Sequence, residues 1–507
     1  MKSPRQAIFI LSFLVAATVS AQQLEIVEKG EPVDNYDFKK ENKIDPDVLF
    51  NFVNTGAKKN YTIYGVAHKK ALVGVWNDYC TLAEVKSVNG LGAPGTTTTI
   101  GFQLYASIEG KNFVFFTSEI PNDDSDNVDL YAMQLDDDLN PLGSPIVLER
   151  YSNVRKYGRN FNVVPSDDNK HFLIVRTYKR KNINDPQKIE CKVINSDFSE
   201  VWKKEFPFEN DYKDVELRSA RLDNRGNMLL VVAYATNNPL NGNKVKYTAL
   251  VYTYFHKTGN FKMMDIGLKD GDNVGVRLHV KSPTVFVAGL NKQGKTIRYF
   301  VHKLDVETES LEMVSSNPMP ENFYKNANWR LDEFRFWGVG EIIPFDNGTT
   351  VVAVESAFEL ANARSGAVGF QSFDAFLMAF SENGDHKWAH VIRKYQRFPT
   401  SPKVGVRYIP AGNKLFAVYN DAVANLKLEL DKTAWPVNPA FPIGITVQEI
   451  DESGNAKRYA LTNDKELENG TLDTSTIQKL DDTAWLSKFD VVNKKGNQHR
   501  YLILKVK

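Results

Sequence analysis

The sequence predicts an all-β fold assembled from one four-stranded unit used many times. Three observations carry this. First, a short turn of Gly, Asn, Asp or Lys leads repeatedly into a β-rich apolar run. It does so at EGKNFVFF (from Glu109), DDNKHFLIV (Asp167), NRGNMLLVV (Asn224), KSPTVFVAG (Lys281), DNGTTVVAV (Asp346), AGNKLFAVY (Ala411) and DDTAWLSKF (Asp481). The turn residues Gly110, Asn169, Gly226, Pro283, Asn347, Gly412 and Thr483 follow one another at steps of 59, 57, 57, 64, 65 and 71, the spacing of a repeat architecture. Second, another hairpin falls between successive turns: LDDDLNPLG, INSDFSEVW, FHKTGNFKM, LDVETESLEM, FSENGDHKW and IDESGNAKR. Third, the intervening runs, such as Met228 to Tyr234 and Thr248 to Phe255, are rich in Val, Phe, Tyr and Ile and alternate with period two, and no long 3.6-period segment competes.

Each unit therefore reads strand, turn, strand, connection, strand, turn, strand. This pattern resembles a β-propeller over roughly Thr97 to Lys507. The resemblance implies seven four-stranded blades, with eight as the alternative. The expected organisation is a signal peptide at 1–21, an N-terminal extension at 22–60 and a single propeller domain at 61–507. The last unit supplies Ser475 to Leu480, Thr483 to Val492 and Tyr501 to Val506, then stops one strand short. An N-terminal strand, Ala71 to Trp76 or Cys80 to Ser87, is expected to close the ring, because an open last blade leaves an unpaired β-edge. The alternative is an eighth blade from Tyr61 to Lys86, a segment that reads as short for a whole blade.

One copy, FSENGDHKWAHVIRK at Phe380 to Lys394, raises a question of chemistry. SENGDHKW is close to the Asp-box of sialidase-type propellers, Ser-x-Asp-x-Gly-x-x-Trp. However, Asn383 stands where the Asp belongs, and the sister copies lack the Ser and the Trp. The Gly-Asn/Asp-x-Lys pattern recurs at Gly259, Gly384 and Gly454, so the stretch reads as a structural turn whose Gly supplies a positive φ. Gly384 and Trp388 are similar to the Gly-x-x-x-Trp turn of quinoprotein-type propeller repeats. No quinone site is carried over, because the other copies lack the Trp.

Composition narrows the function classes. Hydrophobic residues are 42% and charged residues 25%, which fits a globular chain and not a disordered one. The N-terminus reads as a secretory signal: Lys2 and Arg5, an apolar run from Ala7 to Val19, and Val19-Ser20-Ala21 as the cleavage site. Export follows as the expectation, to the periplasm, cell surface or exterior. Removing Lys2 and Arg5 takes the formal charge from +1 to −1, and a near-neutral chain has no electrostatic reason to seek nucleic acid or an anionic bilayer. No transmembrane span is expected, and peripheral attachment to an outer membrane or cell surface stays open. Cys80 and Cys191 are the two cysteines; a disulfide and two separate thiols are both compatible with export.

Function is expected where the repeat is elaborated. The tight turns occupy one face of the disc. The B–C connections and the links between units occupy the other, and long loops are where binding usually resides. Four long segments cluster on that face in units four to six: Ser315 to Leu331, Glu355 to Phe373, Lys394 to Pro402 and Asn420 to Gly444. A short helix is expected in the second, ending near Gly366. These segments carry Phe323, Tyr324, Trp329, Arg330, Arg364, Tyr395, Arg397, Phe398 and Trp435. Aromatics with Arg are the composition of binding hot spots, and the expected partner is a protein or a glycan. The competing reading packs about half of these residues onto the disc. The second function class is a hydrolase or lyase acting on polysaccharide, with Asp332, Glu333, Glu341 or Glu355 at the channel mouth.

Other signals lead nowhere. GLGAPG at Gly90 matches Gly-x-Gly-x-x-Gly but precedes TTTTI, not a helix. Asp124, Asp126 and Asp129 lack EF-hand spacing. His386 and His390 make a metal pair without a third ligand. No cofactor and no metal are implied.

Overall fold

In a computed structural model, residues 23–42, 50–67, 70–89, 101–108, 111–119, 127–151, 161–177, 188–207, 215–235, 247–264, 266, 272–281, 283–293, 296–319, 337–361, 368–398, 403–432, 434–437, 442–461, 467, 470–493 and 496–507 are described. The segment expected as a signal peptide, 1–21, and GLGAPG lie outside them. The strands form eight antiparallel sheets that make the blades of a propeller. Blades 1 to 7 occupy residues 50–88, 101–151, 161–207, 215–264, 272–318, 337–392 and 407–460. Blade 8 joins Gly470–Leu472 and Gln478–Lys479, Ala484–Asn493 and Gly496–Val506 to an outer strand, Leu24–Lys29, from the other end of the chain. The seven repeat units of the sequence are thus blades 2 to 8.

The propeller has eight blades, the alternative count, and not seven. The reason is economy of connection. Residues 50–88 fit four strands because their links are only four, two and three residues long (55–58, 68–69 and 78–80). The two segments expected to close the ring, around Ala71–Trp76 and Cys80–Ser87, are instead the third and fourth strands of blade 1. An N-terminal strand does close the ring, but it is Leu24–Lys29, which pairs Leu24 with Val506 and Lys29 with Leu502 across a register shift between Ile26 and Glu28. The stretch expected as an extension, 22–60, therefore supplies strands to blades 8 and 1.

Closure at this seam is dense. Trp76 of blade 1 sits edge-on to Tyr501 of blade 8, centroids 4.8 Å apart, and Thr62 Oγ1 hydrogen-bonds the Tyr501 hydroxyl at 2.7 Å. A short helix, Asn35–Asn42, lays Phe38 against Tyr64, and Asn35 Oδ1 meets His499 Nδ1 at 2.6 Å. Every seam between neighbouring blades holds its own apolar cluster, including that between blades 8 and 1. Each fully buried Phe or Leu in these layers stabilises the ring by about 1.5–3 kcal/mol.

The stretch at Phe380 is a turn with a structural Trp. Gly384 has φ +85°, its N–H donates to Ser381 O at 3.0 Å, and Ser381 Oγ accepts from Asp385 N at 3.0 Å. Trp388 reaches into blade 7, where Nε1 donates to Glu452 O at 3.0 Å. Trp202 makes the same kind of staple from blade 3 into blade 4, onto Gly226 O. Cys80 and Cys191 are free, buried thiols in different blades.

Candidate functional site

Blade 6 is the elaborated one. Its middle strands, Thr350–Ala361 and Val368–Phe380, outrun its first strand, Trp337–Pro344. Up to Ala361 the segment expected to hold a short helix is strand, and the helix end expected near Gly366 lies outside the described residues. The β-branched and aromatic content of residues 350–361 carries the ladder on past Glu355, while residues 362–367 lie outside the described set. The link to blade 7 then folds back as a fifth strand, Gln396–Phe398, pairing Ser372 with Gln396 and Phe370 with Phe398. From blade 7 a 3-10 helix, Val423–Lys427, leads to Val437, whose N–H donates to Tyr395 O at 2.7 Å. Phe398, Ala422, Val437 and Ile443 close over this junction as a small apolar cluster.

Beneath it lies a polar layer that composition did not reveal. The Lys394 side chain is fully buried and pairs with Glu355 Oε1 at 2.5 Å. Its ammonium also donates to Ser372 Oγ and to Gln396 Oε1 at 3.3 Å, so all three N–H donors are used. Ser372 Oγ donates in turn to Glu355 Oε1 at 2.7 Å, and Val406 N–H donates to Glu355 Oε2. Gln396 Oε1 accepts from Gly405 N at 2.7 Å, and its amide donates to Asn420 O at 2.8 Å. Alongside, Arg393 pairs with Asp374 at 2.7 Å; burial still pushes the Asp374 carboxyl up against the pull of Arg393.

A second buried carboxylate anchors the insertion. Asp421 Oδ1 accepts from Ala422 N at 2.9 Å and Asn425 Nδ2 at 2.6 Å, while Oδ2 has no hydrogen-bond partner. Burial pushes its pKa up to about 7, with the Asn425 and Ala422 donors opposing. Asn425 passes the anchorage outward: its Oδ1 accepts from Trp435 N at 2.8 Å and its Nδ2 donates to Trp435 O at 3.0 Å. The Trp435 side chain is left 63% exposed.

The predicted site residues separate as follows. Tyr395 and Arg397 flank the backbone bridge between Gln396 and Val437, and Trp435 stands two residues before it. Tyr395 is half-buried, stacked on Phe373 at 5.1 Å, and Arg397 is exposed. Phe398 is core, in line with the packing alternative. Phe323, Tyr324, Trp329, Arg330, Arg364, Asp332 and Glu333 lie outside the described residues. Glu355 is locked by Lys394. Glu341 sits on the first strand of blade 6, 3.8 Å from Arg407, with its carboxyl raised by burial and opposed by Arg407 and Arg277. Asp129 is held by Arg150 Nε and Nη2 at 2.8 and 2.9 Å, and His390 meets Gln448 Oε1 at 2.9 Å. Among the described residues no group of three or more His, Cys, Asp or Glu side chains is placed to hold a metal ion.

No protein-family model matches this chain, and no curated protein matches it. Solved structures similar to it include dipeptidyl peptidase 4 of Porphyromonas gingivalis, 12% identical, covering 92% of this chain and 61% of that one with a TM-score of 0.46. They also include prolyl oligopeptidase B of Galerina marginata, 9% identical, 90% and 55% covered, TM-score 0.38. Apocarotenoid oxygenase of Synechocystis is 9% identical, 64% and 67% covered, TM-score 0.32. This chain spans less than two thirds of the length of either peptidase. At such similarity none of their activities transfers; the eight-bladed propeller rests on the strand pairing itself.

Proposed function

We propose that this protein is an exported binding propeller. It docks a protein or glycan partner on the loop face of blades 5 to 7, the units four to six of the sequence. The observation that carries the reading is an exposed Trp435 and Arg397 beside a frame fastened by largely buried polar contacts. An aromatic and a guanidinium held on a rigid frame lose little entropy on binding. The two described carboxylates of those offered for catalysis favour binding over hydrolysis: Glu355 is neutralised in place by Lys394, and Glu341 stands beside Arg407.

The test replaces Arg397 and Trp435 together with Ala and screens a glycan array, and in parallel a secretome pull-down identified by mass spectrometry. The double variant should keep the wild-type circular dichroism spectrum and lose its specific hits, since hot-spot losses run to about 2 kcal/mol each. The control, Lys262→Ala with Lys457→Ala on the turn face, should keep them. Loss in the control with retention in the loop-face variant places the working face on the opposite side.

A further inference from the structure

The two Trp staples show how a seam can be filled at the turn face, and the seam between blades 5 and 6 has no such Trp. Between blades 6 and 7, the Trp388 ring fills the space against the C–D turn of blade 7, and a Cβ on Gly454 would meet the Trp388 ring at 2.7 Å. What remains there is about 10 Å³ of space. One seam earlier, the same glycine of the same turn, Gly384 of Ser381-Glu382-Asn383-Gly384, has Val314 as its neighbour. Val314 of blade 5 meets this turn through its carbonyl and, 3.2 Å from an added Cβ, its Cγ1, where the next seam has the Trp388 side chain. The result is a cleft of about 220 Å³ lined by Phe286, Phe345 and Val314, with Lys281, Lys303 and Glu382 at its walls.

We propose that this cleft between blades 5 and 6 is a binding site for a small planar aromatic carboxylate, whose ring takes the place of the missing Trp. The geometry supplies both halves of the ligand. A flat ring enters between Phe286 and Phe345, as the Trp388 ring enters the next seam, and aromatic faces favour offset or edge contacts there. The carbonyl of Glu382 stands in the turn where Glu452 O accepts the Trp388 N–H, so a ring N–H finds an acceptor. The carboxylate is met by two ammonium groups. Lys281 is held 2.9 Å from Asp346 and Lys303 3.6 Å from Glu382, and both acidic partners are largely exposed. Exposed pairs of this kind contribute little, so a ligand carboxylate displaces them readily. The site lies on the face opposite Trp435 and does not depend on the loop-face reading.

The experiment titrates indole-3-acetate into the full chain by calorimetry and saturation-transfer NMR, with indole and acetate as separate probes. Wild type should bind indole-3-acetate saturably at one site, indole more weakly and acetate not at all. Val314→Trp should weaken indole-3-acetate at least tenfold and raise the melting temperature, because the side chain now fills the cleft. Val314→Phe should do both to a smaller extent, and it stands in should the larger side chain prevent folding. Lys281→Ala with Lys303→Ala should weaken indole-3-acetate at least fivefold and leave indole unchanged. Absence of saturable binding to wild type overturns the proposal. So does equal binding by the folded Val314 variants, or an equal effect of the lysine variants on indole.

Discussion

Gly384, Gly259 and Gly454 share a turn pattern, a positive φ and almost nothing else. Around Gly259 an added Cβ meets nothing within 4 Å, whereas at Gly384 it collides with the Val314 carbonyl and at Gly454 with the Trp388 ring. Gly259→Ala should therefore cost only the left-handed strain, about 1–2 kcal/mol. Gly384→Ala and Gly454→Ala should cost clearly more, because a neighbouring blade must move. Urea unfolding of the three variants separates these terms, and equal losses would mean that the blade seams yield freely. Asp421 gives a second residue-scale prediction. Its folded pKa of about 7 lies above the unfolded carboxylate value near ~3.9. The folded state therefore holds the extra proton between those values, and stability declines as pH rises through that window, by up to about 1.4 kcal/mol per unit. Lys394 and Arg458 face the group and oppose the effect, and Tyr419 lies beside it. Asp421→Asn mimics the protonated form. Its melting temperature should fall less than that of wild type between pH 5 and 8; parallel curves would place the titration elsewhere.

The insertion and the link between blades 6 and 7 behave as one element because Lys394 ties them to the blade 6 hairpin. Removing the cation leaves Glu355 buried without a counter-charge, which typically costs about 3–5 kcal/mol. Lys394→Met should show a loss of that order in chemical denaturation. The double variant Lys394→Met/Glu355→Leu should recover a substantial part, since two apolar side chains can replace a buried pair at little net cost. If the double variant is as unstable as the sum of the singles, the pair is not coupled as its geometry indicates. The signal for this layer was present in QSFDAFLMAF, where Gln371, Ser372 and Asp374 interrupt an otherwise apolar strand. A polar group inside such a run requires a buried partner, but the partner, Lys394, stands 22 residues after Ser372 and no local pattern connects the two.

Ring closure governs the whole molecule. Leu24–Lys29 covers the outer edge of Gly496–Val506, and Tyr459 of blade 7 holds the end of that strand by accepting from Leu24 N at 3.1 Å. Deleting residues 22–30 should lower the melting temperature, broaden the transition and favour association through the bared edge. Calorimetry with light scattering checks this; an unchanged cooperative transition would show that the seams alone hold the ring. Gly56 lies 54 residues before Gly110 (110 − 56), close to the steps that separate the other turns. The eighth repeat was therefore readable, although its short links disguised it.

The amino-acid order alone determined the strand class, the turn positions and the repeat, because hydrophobic alternation and turn chemistry act over a few neighbouring residues. The described turn residues from Asn169 to Thr483 each fall between the first and second strands of a blade. It also assigned the connections that carry Tyr395, Arg397 and Trp435 to one end of the disc, since strand parity sorts connections between the two ends. Only the tertiary structure decided that eight blades close the ring and that Leu24–Lys29 does the closing. The same holds for the burial of Lys394 against Glu355 and for Val314 standing where the next seam has Trp388. Each of these depends on contacts between segments far apart in the chain, and such contacts are set by how whole blades pack, which local periodicity does not encode.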